Sequence, residues 1–136
     1  MPIIFDVAHN PQATGYLLQQ IQRRVKAKVL AVVGMLATKE HESCVMSLDA
    51  VVHQWYLADL KVDHSVPPQQ LCGAVDQRKE LPPLLFDSVA VALEQAIKDF
   101  DLLPVQAIIV FGSFHAVRQG QEYLMANKGS LKCKQN

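Results

Sequence analysis

The sequence predicts a single α/β domain with a mainly parallel sheet and helices on both faces. Three observations predict it. Short apolar runs alternate with amphipathic helical stripes along the chain, the pattern of βαβ units, whose strands run parallel. Most runs are apolar at every position rather than every second one, as in strands covered on both faces. Polar and small residues gather just after the runs, at the sheet edge where such folds bind ligands. The 136 residues fit one ordinary domain, and 50% are hydrophobic, enough for a sizeable core.

Residues 3–5 (IIF) form the first expected strand, followed by Asp6, His9, Asn10 and Pro11. Asn10 suits a helix N-cap, and Pro11 suits the first helical position, where its missing N–H needs no partner. Leu17, Leu18, Ile21 and Val25 then recur at helical spacing. Residues 29–33 (VLAVV) form the second strand, trailed by Gly34 and Lys39; Val45, Leu48 and Val52 mark a second helix. The third strand takes residues 55–58, with Trp55 and Tyr56 in the core, and ends at Asp59. Leu71 and Val75 make a short repeat behind Pro67 and Pro68. Residues 84–86 form the fourth strand, and Asp87 or Ser88 caps the clearest stripe: Val89, Leu93, Ala96, Ile97 and Phe100. Residues 107–111 form the fifth, ending in Gly112, Ser113 and His115; Val117, Gln121 and Leu124 mark a last helix. The domain is expected to occupy residues 1–127, with 128–136 a polar tail.

Composition removes several functions. Thirteen basic residues balance thirteen acidic ones, which argues against a nucleic-acid partner. The longest apolar run, VLAVVGMLA, is about half a membrane span, so no membrane partner is expected. No secretory signal opens the chain. Cys44, Cys72 and Cys133 are odd in number and widely spaced, which fits a reduced, cytoplasmic setting. His41, His53 and His64 show no metal-ligand spacing and read as surface or helix-end residues, so no metal site is expected in the chain itself. No P-loop sequence occurs.

The strand ends hold the candidate chemistry. Capping accounts for Asn10, Pro11 and Ser88 as well as a ligand does. It does not account for Asp6 or His9. A strand-terminal carboxylate reaches a hydroxyl pair or a metal-bound group, and an imidazole one turn on stacks or donates. Gly112 and Ser113 suit a turn that lets backbone approach a ligand. Ser113 fits equally as an N-cap, and no G-x-S-x-G elbow supports it as a nucleophile paired with His115.

Five stretches together resemble one family: DVAHNP (6–11), VVGMLATKE (32–40), QWYLA (54–58), LFDSVAVAL (85–93) and VFGSFHAV (110–117). In this order and spacing they are similar to the C-terminal domain of the folylpolyglutamate synthase family, often bifunctional with dihydrofolate synthase and related to the Mur ligases. The resemblance covers almost the whole chain. It implies a Rossmann-like fold, usually with five parallel strands and one antiparallel, and part of an ATP-dependent amide ligase. In that reaction ATP phosphorylates a pteroate or folylglutamate carboxylate, and L-glutamate attacks the acyl phosphate. By the same resemblance Asp6, His9 and Asn10 serve the ATP site, and Lys39, Ser113 and His115 the glutamate site. No residue of this chain is assigned as catalytic. Mg2+ and the P-loop are expected on an N-terminal partner domain, together with most of the folate site, so this chain alone would be inactive. Two other readings remain open: a stand-alone module binding a nucleotide or a partner, and the corresponding domain of another Mur-type amino-acid ligase.

Overall fold

The computed structural model describes residues 1–38, 40–76 and 80–127. Lys39 and the expected tail at 128–136, with Cys133, lie outside the described residues. The elements run β1 (Ile3–Asp6), α1 (Pro11–Arg24), β2 (Lys28–Val33), α2 (His41–Leu48), β3 (Val52–Ala58), a single-turn α3 (Pro68–Leu71), β4 (Leu84–Phe86), α4 (Val89–Phe100), β5 (Val105–Phe111) and α5 (Phe114–Ala126). The strands form one five-stranded sheet in the order β1-β5-β2-β3-β4. Every pairing between these strands is parallel. Among the described residues no helix is long and apolar enough to cross a membrane.

The continuous apolar runs are strands packed on both sides. Along β2, Val29, Ala31 and Val33 join one core with Leu17 and Ile21 of α1, Cys44, Val45 and Leu48 of α2, and Leu71 of α3. Leu30 and Val32 join a second core with Val89, Ala92, Leu93 and Ala96 of α4 and Ala116 of α5. The strand period of two thus sends alternate residues of one apolar run to opposite cores. Helices α1, α2 and α3 cover one face, and α4 and α5 the other.

Several boundaries differ from the expectation for a physical reason. Val52 opens β3 instead of closing the α2 stripe, because α2 stops at Leu48 and a 3-10 turn, Asp49–Val51, leads into the strand. The polar start of β3 is tolerated because Gln54 donates its buried amide to the carbonyls of Pro82 (2.6 Å) and Trp55 (3.2 Å). His53 lies in the strand where the β2–β3 register skips a residue, so it is half-buried rather than a helix end. Val25 ends α1 as its C-cap. Val75 follows a 3-10 turn, Cys72–Ala74, rather than a helical repeat. In α5 the fully buried positions are Ala116 and Gly120, Tyr123 and Leu124 pack partly against the same core, and Gln121 is exposed. Gly120 lets α5 lie close on β1: a Cβ there would stand 2.9 Å from Phe5. Trp55 and Tyr56 are buried as expected, their polar atoms held by Asp49 (2.8 Å) and Asp99 (2.7 Å).

Candidate functional site

Because all strands run parallel, their carboxyl ends share one edge. Asp6 and Val33 each lie in register with Phe111 of the strand between them, so Asp6, Gly34 and Gly112 lie together there. After β1 the chain turns to the α1 face, whereas after β5 it turns to the opposite one. The ends of β1 and β5 therefore flank a topological switch point, the place where open α/β sheets form a crevice.

The turn leaving β1 is organised by its own polar side chains. Asp6 Oδ1 accepts from the Ala8 N–H at 2.8 Å, leaving Oδ2 for another donor. His9 Nδ1 donates to the Val7 carbonyl at 2.9 Å, which leaves Nε2 as the free polar atom of an exposed ring. Asn10 is the N-cap of α1 and accepts from the Ala13 N–H at 2.9 Å, with Pro11 at the first helical position. Arg23 and Arg24 in the last turn complement the helix dipole.

The turn leaving β5 is tighter. Gly112 has φ +117°, and a Cβ there would stand 2.6 Å from the Gly34 carbonyl oxygen, so only glycine fits. Ser113 is 5% exposed. Its hydroxyl donates to the Gly34 carbonyl at 3.1 Å and accepts from the Ala116 N–H at 3.1 Å, capping α5. Ser113 thus ties the end of β5 to the end of β2, and its proton goes to a carbonyl rather than to His115.

Past Gly34 the chain is braced by the loop after β3. Leu36 and Ser65 form an antiparallel bridge. Ala37 N–H donates to the His64 carbonyl (2.7 Å), and Val66 N–H to that of Met35 (2.8 Å). Lys61 and His64 hold positive φ values of 58° and 66° to make that loop. Asp59 starts it by accepting from the Lys61 N–H at 2.8 Å, and this bond holds the Asp59 carboxyl below its ordinary pKa. Thr38 in turn accepts, through its carbonyl, from His41 Nδ1 at 2.7 Å.

These turns enclose a cleft of about 280 Å3, lined by His9, Leu36, Thr38 and residues 112–115. Its wall is mainly apolar. Asn10 faces a more open groove of about 620 Å3 along α1, with Pro11, Gln12, Tyr16 and Gln19. Of the residues singled out in the sequence, Asp6, His9, Asn10, Ser113 and His115 come to one edge, and His9, Ser113 and His115 share the cleft. Lys39 lies outside the described residues, next to cleft-lining Thr38. Sequence reasoning missed Leu36, Thr38 and Phe114. For Phe114 a signal was available, since an aromatic residue directly after a helix-capping serine has no packing task at that position. Among the described residues, no three His, Cys, Asp or Glu side chains gather as a metal ion would need. Burial pushes the Cys44 thiol up from its ordinary pKa, and it is a free thiol.

Comparison with known proteins agrees with this fold. Residues 1–114 match the family described as Mur ligase, glutamate ligase domain. The dihydrofolate synthase/folylpolyglutamate synthase of Escherichia coli is 36% identical over 131 residues, covering 96% of this chain and 29% of that protein. Its namesake from Haemophilus influenzae is 30% identical over 127 residues, covering 86% and 27%. The structure of E. coli FolC with DHPP and ADP superposes with a TM-score of 0.80 at 35% identity, over 93% of this chain and 29% of that one. A bifunctional folylpolyglutamate synthase/dihydrofolate synthase with Mn, AMPPNP and L-glutamate bound gives 0.75 at 32% identity, over 92% and 29%. The chain thus spans less than a third of the length of the curated relatives it matches.

Proposed function

This chain belongs to the Mur ligase glutamate ligase domain family, and from that premise we propose that it is the glutamate-handling part of an ATP-dependent folate ligase. The reaction adds L-glutamate to dihydropteroate or a folylpolyglutamate. The γ-phosphoryl group of ATP passes to the acceptor carboxylate, the glutamate amine attacks the acyl phosphate, and phosphate leaves as the amide forms. One observation carries the reading: two polar turns meet at the switch point around a cleft, one led by Asp6 and His9, the other by Ser113 and His115.

In this reading Asp6 Oδ2 accepts from the ribose hydroxyls of ATP, and His9 Nε2 meets the nucleotide near its ribose or phosphates. Asn10 holds the turn as its cap. Lys39 pairs with a glutamate carboxylate, and His115 hydrogen-bonds one. Ser113 keeps a second lone pair for the glutamate ammonium while its proton fixes the turn. The amino end of α5 adds favourable field for a carboxylate. Orientation of the amine toward the acyl carbon is the main service such a shell performs. Phosphate cradle and Mg2+ belong, in this proposal, to a P-loop domain that closes over this edge. When bound, the ion would offset charge on the transferred phosphoryl group. The free Cys44 thiol agrees with the cytoplasm as the place of work.

The test is ADP release by this chain combined with a P-loop domain of a relative. Release is expected only when ATP, dihydropteroate and L-glutamate are all present. Release that ignores glutamate, or that another amino acid supports better, would overturn the proposal.

A further inference from the structure

We propose that Phe114 is a specificity-determining residue of this site: its ring forms a wall for acceptors whose reacting carboxylate sits directly on an aromatic ring. The inference rests on the ligase reading above and deepens it. Phe114 is the first residue of α5, directly after the capping Ser113. Gly112 and Ser113 are buried, whereas Phe114 is 73% exposed. Phe114 nevertheless lines the cleft with His9, Leu36 and Thr38. The helix start does not need it. Capping is done by the Ser113 hydroxyl, and the first buried residue of α5 is Ala116. A phenyl group kept largely in water forgoes the burial that usually justifies it.

The size of the cleft limits what the ring meets. At about 280 Å3 it lies just below the range of whole small-molecule sites, roughly 300–1,000 Å3. It suits one ring or one small group, not a complete folate or nucleotide. The similar proteins carry two activities in one name, dihydrofolate synthase and folylpolyglutamate synthase. The two acceptors differ where it matters here. Dihydropteroate carries its reacting carboxylate on the ring of p-aminobenzoate, one bond away. A folylpolyglutamate carries it at the end of a flexible aliphatic chain. Both carboxylates must reach the same point beside the glutamate amine. Only the first brings a flat π-surface to the mouth of the cleft, and an exposed phenyl wall there stacks on it. A methylene chain gains much less from the same wall.

The experiment compares acceptors in the assembled enzyme, this chain combined with a P-loop domain of a relative. Phe114→Ala, Phe114→Leu and Phe114→Tyr are assayed with dihydropteroate and with a reduced folate monoglutamate. The Ala and Leu variants should lose about fivefold to tenfold in kcat/KM for dihydropteroate. Their kcat/KM for the monoglutamate should change by less than about twofold, and Phe114→Tyr should retain both. The KM for ATP and for L-glutamate should stay unchanged. Equal losses with both acceptors would make Phe114 a contact of domain closure and overturn the inference. A raised KM for ATP would move the ring to the nucleotide, with the same result. If the unsubstituted enzyme makes both products while the acceptor ratio ignores Phe114, only this inference falls. If it makes neither, the ligase reading falls and takes this with it.

Discussion

Asp6 divides its work between two oxygens. Oδ1 takes the Ala8 N–H and shapes the turn; Oδ2 is left for a ligand hydroxyl. The two tasks separate on Asp6→Asn, which keeps an acceptor for Ala8 and removes the charge and one acceptor. In the assembled enzyme this variant should lose about 1.5–3 kcal/mol of transition-state stabilisation with respect to ATP, the worth of a charge-assisted hydrogen bond. Its melting temperature should stay close to that of the parent. Unchanged kcat/KM for ATP would remove Asp6 from the nucleotide site. His9 repeats the logic on a smaller scale: Nδ1 is spent on the Val7 carbonyl, so any ligand meets Nε2. Neither residue is required by the packing of α1, whose start rests on Asn10 and Pro11. That is why both stood out in the sequence before any contact was known.

At the scale of elements, three helices among the described residues start on a side-chain cap: Asn10 for α1, Ser88 for α4 and Ser113 for α5. Ser88 only caps, accepting from the Val91 N–H at 3.2 Å. Ser113 also donates to Gly34 across the sheet edge. Ser88→Ala should therefore cost about 1 kcal/mol, the usual worth of a cap. Ser113→Ala should cost about 2–3 kcal/mol, because the buried Gly34 carbonyl loses its donor as well. Urea unfolding of the two variants checks this, and equal losses would show that the tie between β5 and β2 carries no stability. Strands were legible where both faces are covered, as in VLAVV and AIIVF, since burial on both sides leaves no polar position. The start of β3 was not, because His53 sits at a register slip and Gln54 is buried by bonding to the Pro82 carbonyl. The last helix was legible only faintly, because its buried positions, Ala116 and Gly120, are too small to read as an apolar stripe and Leu124 packs only partly. Asp6, His9 and Ser113 were legible as polar residues at strand ends. The brace from Ser65 to Leu36 was not, since an isolated bridge between two loops leaves no periodic pattern.

At the scale of the whole molecule, the sheet gathers its ligand-facing groups along one edge and covers both faces with helices. That arrangement positions atoms well but leaves the edge open to water. Phosphoryl transfer needs more: a phosphate cradle and a metal held in line with the acceptor. The chain has no P-loop sequence, and its described residues gather no metal-binding cluster. Under the proposed function this edge supplies part of each contact shell, and solvent weakens the electrostatics of what it does supply. Closure of a second domain over the edge would exclude that water and complete both shells. The 136-residue chain by itself should therefore bind ATP no more tightly than about millimolar, roughly 4 kcal/mol, and should turn over neither ATP nor glutamate. Calorimetry with ATP and Mg2+, followed by an ADP-release assay, measures both. Micromolar affinity would mean that the turns at Asp6 and Ser113 already form a complete site, and turnover would mean that the phosphate cradle lies within this chain. In either case the division of labour between two domains would be wrong, and the domain would be a self-sufficient nucleotide-binding module.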